Sequence, residues 1–228
     1  MAMVDVTDIL DVEVEDDAVI FGYSEGAHNT AEFDISQFIT EGENELIAVV
    51  HKWSNGTFLE CQDMFRENGI FRDVFIISQK ADRIYDILLR PSKNTDGSYN
   101  LKISIKGNFT ENAGITVECK ELFGEIQVNN QAVINNLHPD EWTAETPKLY
   151  ETIITVRNGT QIQEIIRTYI GFRDIRVEGE VFRFNSKAIK LLGVNHHDTH
   201  MTKGYAMSLD DLELDVKLMK EYNVNCVR

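Results

Sequence analysis

The sequence predicts a mainly β protein: part of one β-sandwich, a second sandwich that is complete, then one step of a parallel α/β fold. Three observations carry this prediction. Residues 43–53 and 69–78 are short runs with apolar side chains on both faces. From residue 84 onwards, runs of period two alternate with tight turns such as Asp96-Gly97 and Asn158-Gly159. After residue 187 an apolar strand, a polar loop, an amphipathic helix and a second strand follow in order.

In "ENELIAVVHKW", Leu46, Ala48 and Val50 share one face and Ile47 and Val49 the other, which predicts a strand buried between two layers. "GIFRDVFIIS" reads the same way, rich in β-branched and aromatic residues. Residues 1–78 contain few such runs, fewer than the about seven strands of a whole sandwich. In "IYDILLRPSKNTDGSYNLKISIKGNF" two strands flank the Asp96-Gly97 turn. Leu101, Ile103 and Ile105 alternate with Lys102, Ser104 and Lys106, the mark of a strand with one wet face. The pattern continues to the second turn and beyond, so residues 79–174 predict an immunoglobulin-like sandwich without the Cys…Trp…Cys pattern of antibody domains.

"VFRFNSKAIKLLGVN" predicts a hairpin leading into an apolar strand. "SLDDLELDVKLMKEYNVN" predicts a helix capped by Ser208, with Asp210 and Asp211 in its first turn and a stripe of Leu209, Leu212, Val216 and Met219. "NCVR" begins another strand, which completes a strand–helix–strand step. In an α/β barrel, ligand-contacting groups follow the strand ends, and residues 195–200 occupy that place.

Composition narrows the function. The chain has 228 residues and a net charge of −16, from 38 acidic and 22 basic side chains. Such a surface repels nucleic acid and anionic membrane, while a neutral sugar meets no such penalty. No apolar run approaches the roughly 18 residues of a membrane span, and the acidic amino terminus is not a secretory signal. Cys61, Cys119 and Cys226 lack zinc spacing and read as reduced thiols in a cytoplasmic setting. The sequons at Asn55, Asn108 and Asn158 read as turn chemistry.

"LLGVNHHDTH" places His196, His197, Asp198 and His200 after the apolar strand. Adjacent strand residues point to opposite faces, so His196 and His197 do not both line one pocket, and no HExxH helix supplies zinc ligands. No GxSxG elbow offers a nucleophile. Two readings stay open: hydrogen-bonded loop histidines, or a strand-end group that contacts sugar hydroxyls.

The stretches "FGYSEGAHNTAEFDIS" (21–36), "GENELIAVVHKWSNGTFLECQDMFRENGIFRDV" (42–74), "EWTAETPKLY" (141–150), "IGFRDIRVEGEVFRFNSKAIKLLGVNHHDTH" (170–200) and "LELDVKLMKEYNVNCVR" (212–228) resemble the β-galactosidase branch of glycoside hydrolase family 2, in the family's order. The resemblance implies the end of a sugar-binding jelly roll (1–78), a whole immunoglobulin-like domain (79–174) and the truncated start of a catalytic (β/α)₈ barrel (175–228). It implies that Asp63, in "QDMFR", holds Na⁺ and the galactose 6-hydroxyl, and that His197 contacts the galactosyl group. Arg228 matches the arginine of an Asn-x-Val-Arg signature near the nucleophile. His196 stands where these enzymes have arginine, Asp198 replaces a glutamate, and Cys61 replaces an aspartate; the resemblance assigns His196 and Cys61 no role. The family also uses Mg²⁺, whose ligands are absent from this sequence.

The family hydrolyses terminal β-D-galactosides with retention, using two glutamates on later barrel strands that this sequence does not contain. The expectation is therefore a β-galactosidase fragment with no catalytic residue of its own, inactive alone, that contributes pocket residues for a β-galactoside. A homo-oligomer is compatible with the family. Two alternatives remain: a non-catalytic carbohydrate-binding or assembly module, and another family 2 glycosidase such as a β-glucuronidase or β-mannosidase. The 178–228 segment, short of barrel neighbours, is expected to pack on the second domain, pair with another molecule, or be poorly ordered.

Overall fold

Leu101, Ile103 and Ile105 alternate with polar residues, and that alternation places the main core. In the computed structural model, which describes residues 2–5, 17–23, 30–49, 52, 69–70 and 73–228, these three side chains are 0–2% exposed. They lie on β7 (Tyr99–Asn108), the middle strand of an antiparallel sheet with β6 (Arg83–Lys93) and β10 (Gln131–Leu137). A second antiparallel sheet runs β12-β11-β8-β9, formed by β8 (Ala113–Cys119), β9 (Gly124–Val128), β11 (Tyr150–Asn158) and β12 (Gln161–Ile170). It contributes Ile115, Val117, Ile154 and Val156 to the same core cluster. Phe172 closes the cluster edge-on to Tyr99 and Tyr150, with centroids 5.4 and 5.6 Å away.

Both expected turns form. Gly97 (φ 89°) and Gly159 (φ 57°) adopt the left-handed conformation that glycine enters without steric cost. Asp96 Oδ1 accepts from the backbone N–H and the hydroxyl of Ser98, which sets the first turn.

Asp82, 2% exposed, joins two ends of this unit: it accepts from the Thr110 N–H (2.6 Å), the Thr110 hydroxyl (3.1 Å) and the Asn158 side-chain amide (2.8 Å). Burial pushes the Asp82 carboxyl up, but these three hydrogen bonds outweigh it and hold the group below its ordinary range. Asn158, a sequon asparagine, thus spends its amide within the fold.

The chain divides into two units, residues 80–190 and residues 1–79 with 191–228. The first runs past the expected boundary at 174. It takes in the small sheet β13 (Ile175–Glu178), β14 (Val181–Phe184) and β15 (Lys187–Ala188). Trp142 stands edge-on to Phe184, its carbonyl accepts from the Asn185 amide, and the Asn185 Oδ1 accepts from the Asp174 N–H.

In the other unit, β1 (Ala2–Asp5) pairs with β4 (Glu45–Ala48), and β2 (Asp17–Tyr23) lies between β3 (Thr30–Asp34) and β5 (Phe75–Gln79). Here the expectation of strands buried on both faces needs correction. Ile47 is 49% exposed, Val49 70% and Phe75 55%. Among the described residues β4 has one neighbour strand, β1, and no second layer covers its Ile47 face.

Candidate functional site

Three pairs of backbone atoms define the strand end that the histidine cluster follows. β16 (Gly193–Val194) pairs in parallel with β17 (Cys226–Val227). The ladder extends beyond them on both sides: Asn225 N–H donates to the Leu192 carbonyl (3.0 Å), Arg228 N–H to Val194 (3.0 Å) and His196 N–H to Arg228 (2.9 Å). The Asn225 side chain adds an acceptor for the Leu192 N–H at 2.7 Å. This ladder brings His196, His197 and Arg228 to the same, C-terminal edge of the pair.

Helix α1 (Leu209–Glu221) makes the crossover that parallel strands require. Ser208 caps it as expected, in a reciprocal box: Asp211 N–H donates to the Ser208 hydroxyl, and the Asp211 carboxylate accepts from the Ser208 N–H at 2.8 Å. Lys203 Nζ meets the same carboxylate at 2.6 Å. The Lys203 ammonium, then the Ser208 N–H and hydroxyl, hold the Asp211 carboxyl well below the usual carboxylate range. The helix stops at Asn223, left-handed at φ 58°, with Val224 N–H bonded to the Met219 carbonyl and Asn223 N–H to Lys220.

The helix departs from the expected stripe. Leu212 and Met219 are half-buried, but Leu209 is 70% and Val216 63% exposed. The covered face runs through Asp211, Leu212, Asp215 and Met219. Its two acids face the loop. Asp215 Oδ2 lies 3.5 Å and Asp198 Oδ1 3.4 Å from His196 Nε2. His200 Nδ1 accepts from the Thr202 N–H at 3.2 Å, so in the neutral ring its proton sits on Nε2, which faces Asp211.

The candidate site residues separate as follows. His197 and Arg228 are exposed at the strand-end edge. Asp63 lies outside the described residues, as does Cys61. Among the described residues no three histidine, cysteine, aspartate or glutamate side chains gather as a metal site. Asp215 went unremarked in the sequence; the available signal was a pair of acids four apart, Asp211 and Asp215, on the helix that follows the histidine loop.

The 80–190 unit carries a polar cleft of about 500 Å³ lined by Lys93, Asp96, Asp174, Arg176 and neighbours. Its charged side chains have protein partners nearby, most of them outside the lining. Lys93 meets Glu141 at 2.5 Å, Asp96 accepts from Ser98, and Arg176 Nε lies 3.4 Å from Asp174 and 3.0 Å from Glu178.

Three family models match in succession and together span almost the whole chain. They are the sugar-binding domain of glycosyl hydrolases family 2 over residues 2–80, a glycosyl hydrolases family 2 model over 82–173, and the family's TIM-barrel domain over 175–228. The chain belongs to glycosyl hydrolase family 2. Within that family it is 35% identical to β-galactosidases of Alteromonas mediterranea and Staphylococcus xylosus and 33% identical to one of Klebsiella pneumoniae, over 91% of this chain in each case. The chain spans 21–22% of the length of those relatives. A β-glucuronidase of Ruminococcus gnavus, solved with uronic isofagomine, has the same fold: TM-score 0.74 at 17% identity, covering 94% of this chain and 42% of that one. The mainly β architecture, a sandwich followed by the start of a TIM-barrel domain, is thus that of family 2. No helix among the described residues is long and apolar enough to cross a membrane.

Proposed function

We propose that this chain is part of a retaining β-galactosidase that removes terminal β-D-galactose from β-D-galactosides, and that residues 191–228 supply one wall of its galactose pocket. The observation that carries this is the parallel pair of β16 and β17, which brings His197 and Arg228 to one C-terminal edge, in a chain whose relatives at 33–35% identity are β-galactosidases. Strand ends of this kind present ligand groups in α/β barrels. A neutral imidazole both donates to and accepts from sugar hydroxyls, and a guanidinium donates in a fixed fork.

In this reading Asp63 holds Na⁺ and the galactose 6-hydroxyl, as suits an ionised carboxylate, a hard oxygen ligand. The ion would supply a fixed positive charge for a sugar oxygen. Retaining hydrolysis needs an acid and a nucleophile about 5–5.5 Å apart. We assign neither role to a residue of this chain; in the family reading both are glutamates of later barrel strands, and the family's Mg²⁺ ligands are likewise absent from this sequence. The free thiols of Cys119 and Cys226 support a reducing, cytoplasmic setting.

The test is hydrolysis of a chromogenic β-galactoside and, beside it, a β-glucuronide, with Na⁺ and Mg²⁺ present. The 228 residues alone are expected to give no turnover. A longer chain that continues through the barrel is expected to cleave the galactoside preferentially and to lose affinity on Asp63→Ala. Turnover by the 228 residues alone, surviving purification, would place both carboxylates within them and overturn the assignment. Preference for the glucuronide would move the protein to another branch of the family.

A further inference from the structure

His196 stands where all the pieces of the 191–228 segment meet. Its backbone N–H donates to the Arg228 carbonyl at 2.9 Å, joining the ends of the two parallel strands. Its ring Nε2 lies 3.4 Å from Asp198 Oδ1 on the loop and 3.5 Å from Asp215 Oδ2 on α1. Carboxylates only accept, so the imidazole engages them with a proton on Nε2. The other acid on that helix face, Asp211, is already held by Lys203 and Ser208. Among the described residues Asp215 has no lysine or arginine partner, so His196 is its counterpart. The His196 side chain is 23% exposed and that of Asp215 32%, which shields the contact more than an open surface pair. His197, the next residue, is exposed.

We propose that His196 is a positioning residue. Its Nε2, 3.4 Å from Asp198 and 3.5 Å from Asp215, fastens the 195–200 loop to α1 and thereby fixes His197 at the strand-end edge. The consequence for substrate rests on the galactosidase reading above; the tether itself does not.

The experiment is amide hydrogen exchange on the protein and on His196→Phe, His196→Arg and Asp215→Asn, each then titrated, in the longer chain that continues through the barrel, with a non-hydrolysable β-thiogalactoside followed by NMR. Phenylalanine keeps a ring and removes the donor; arginine restores donors that reach the same carboxylates. Exchange at the His196 and Arg228 amides is expected to rise about two- to fivefold in His196→Phe and Asp215→Asn, and to return towards the parent rate in His196→Arg. The thiogalactoside response is expected to weaken in the first two variants and to recover in the third.

Parent-like exchange in both His196→Phe and Asp215→Asn overturns the tether, and so does equal loosening in His196→Arg. Should His196→Phe fail to fold, Asp215→Ala, which removes the acceptor where asparagine would keep an amide oxygen, decides in its place. Thiogalactoside binding unchanged in every variant overturns the positioning role. No response in the parent form of that longer chain overturns the galactosidase reading and with it the role towards substrate, while the exchange rates still decide the tether.

Discussion

The sandwich of residues 80–190 and the strand–helix–strand step of 191–228 have similarly apolar sequences but opposite interiors. In the sandwich Leu101, Ile103, Val117, Ile154, Val156 and Phe172 are 0% exposed. In the step, α1 has no buried residue, and Leu191, Leu192, Leu214 and Tyr222 are 44–80% exposed along with Leu218. The difference lies in how strands find partners. Antiparallel strands joined by hairpins pair with their sequence neighbours, and two such sheets cover each other. A parallel pair has a crossover helix on one side only, and it buries both faces only when further strands and helices surround it. Apolar sequence is thus necessary for a core, but topology decides whether a short segment can close one by itself.

The sharpest way to break this comparison is to truncate one side chain in each region. Ile154→Ala is expected to cost the sandwich about 3–4 kcal/mol, from lost burial and the cavity left behind. Leu214→Ala, at 55% exposure, is expected to cost no more than about 0.5 kcal/mol. Denaturant unfolding, followed by tyrosine and tryptophan fluorescence for the sandwich and by far-ultraviolet ellipticity, measures both. Comparable losses at the two sites would mean that the step has a core of its own.

Asp82→Asn comes next, at about 2 kcal/mol, because it weakens a buried charged acceptor that serves three donors. Its pH dependence has a definite sign. The folded carboxyl titrates below the ordinary value of 3.8, so its contribution is complete above that value and disappears as pH falls through the folded pKa. Acid unfolding of the sandwich should therefore be shallower in Asp82→Asn than in the parent; parallel curves would assign acid sensitivity elsewhere.

Ser208→Ala removes the cap of α1 and is expected to destabilise that helix by about 1 kcal/mol. The loss should appear as faster exchange of the amides of residues 209–212, with the sandwich midpoint unchanged. The smallest effect should follow Lys106→Ala. Its 3.0 Å pair with Asp86 lies on the wet face of β7, with side chains 74% and 57% exposed, and such pairs contribute under about 0.5 kcal/mol.

Much of the sandwich was legible because its signals are local. The period-two run through Leu101, Ile103 and Ile105 names the buried face, and the Asp-Gly and Asn-Gly pairs name the turns. Ser208 and the acids after it likewise marked the start of α1. What misled were runs whose meaning depends on a partner. Ile47 and Val49 signalled burial between layers, yet both are exposed, Ile47 on a strand with one neighbour among the described residues. The stripe through Leu209 and Val216 marked one helix face, while the face covered by the chain carries Asp211 and Asp215.

By itself, then, the sequence determined the order of strands, the turns, the helix cap and the location of the histidines after an apolar strand, because each follows from backbone preference and side-chain period over a few residues. Only the tertiary structure decided that His196 faces two carboxylates and that β13 to β15 group with the sandwich. It alone decided that His196, His197 and Arg228 share one edge. Those outcomes join residues far apart in the chain, such as 196 with 215 and 228, and no local preference encodes a distance between them.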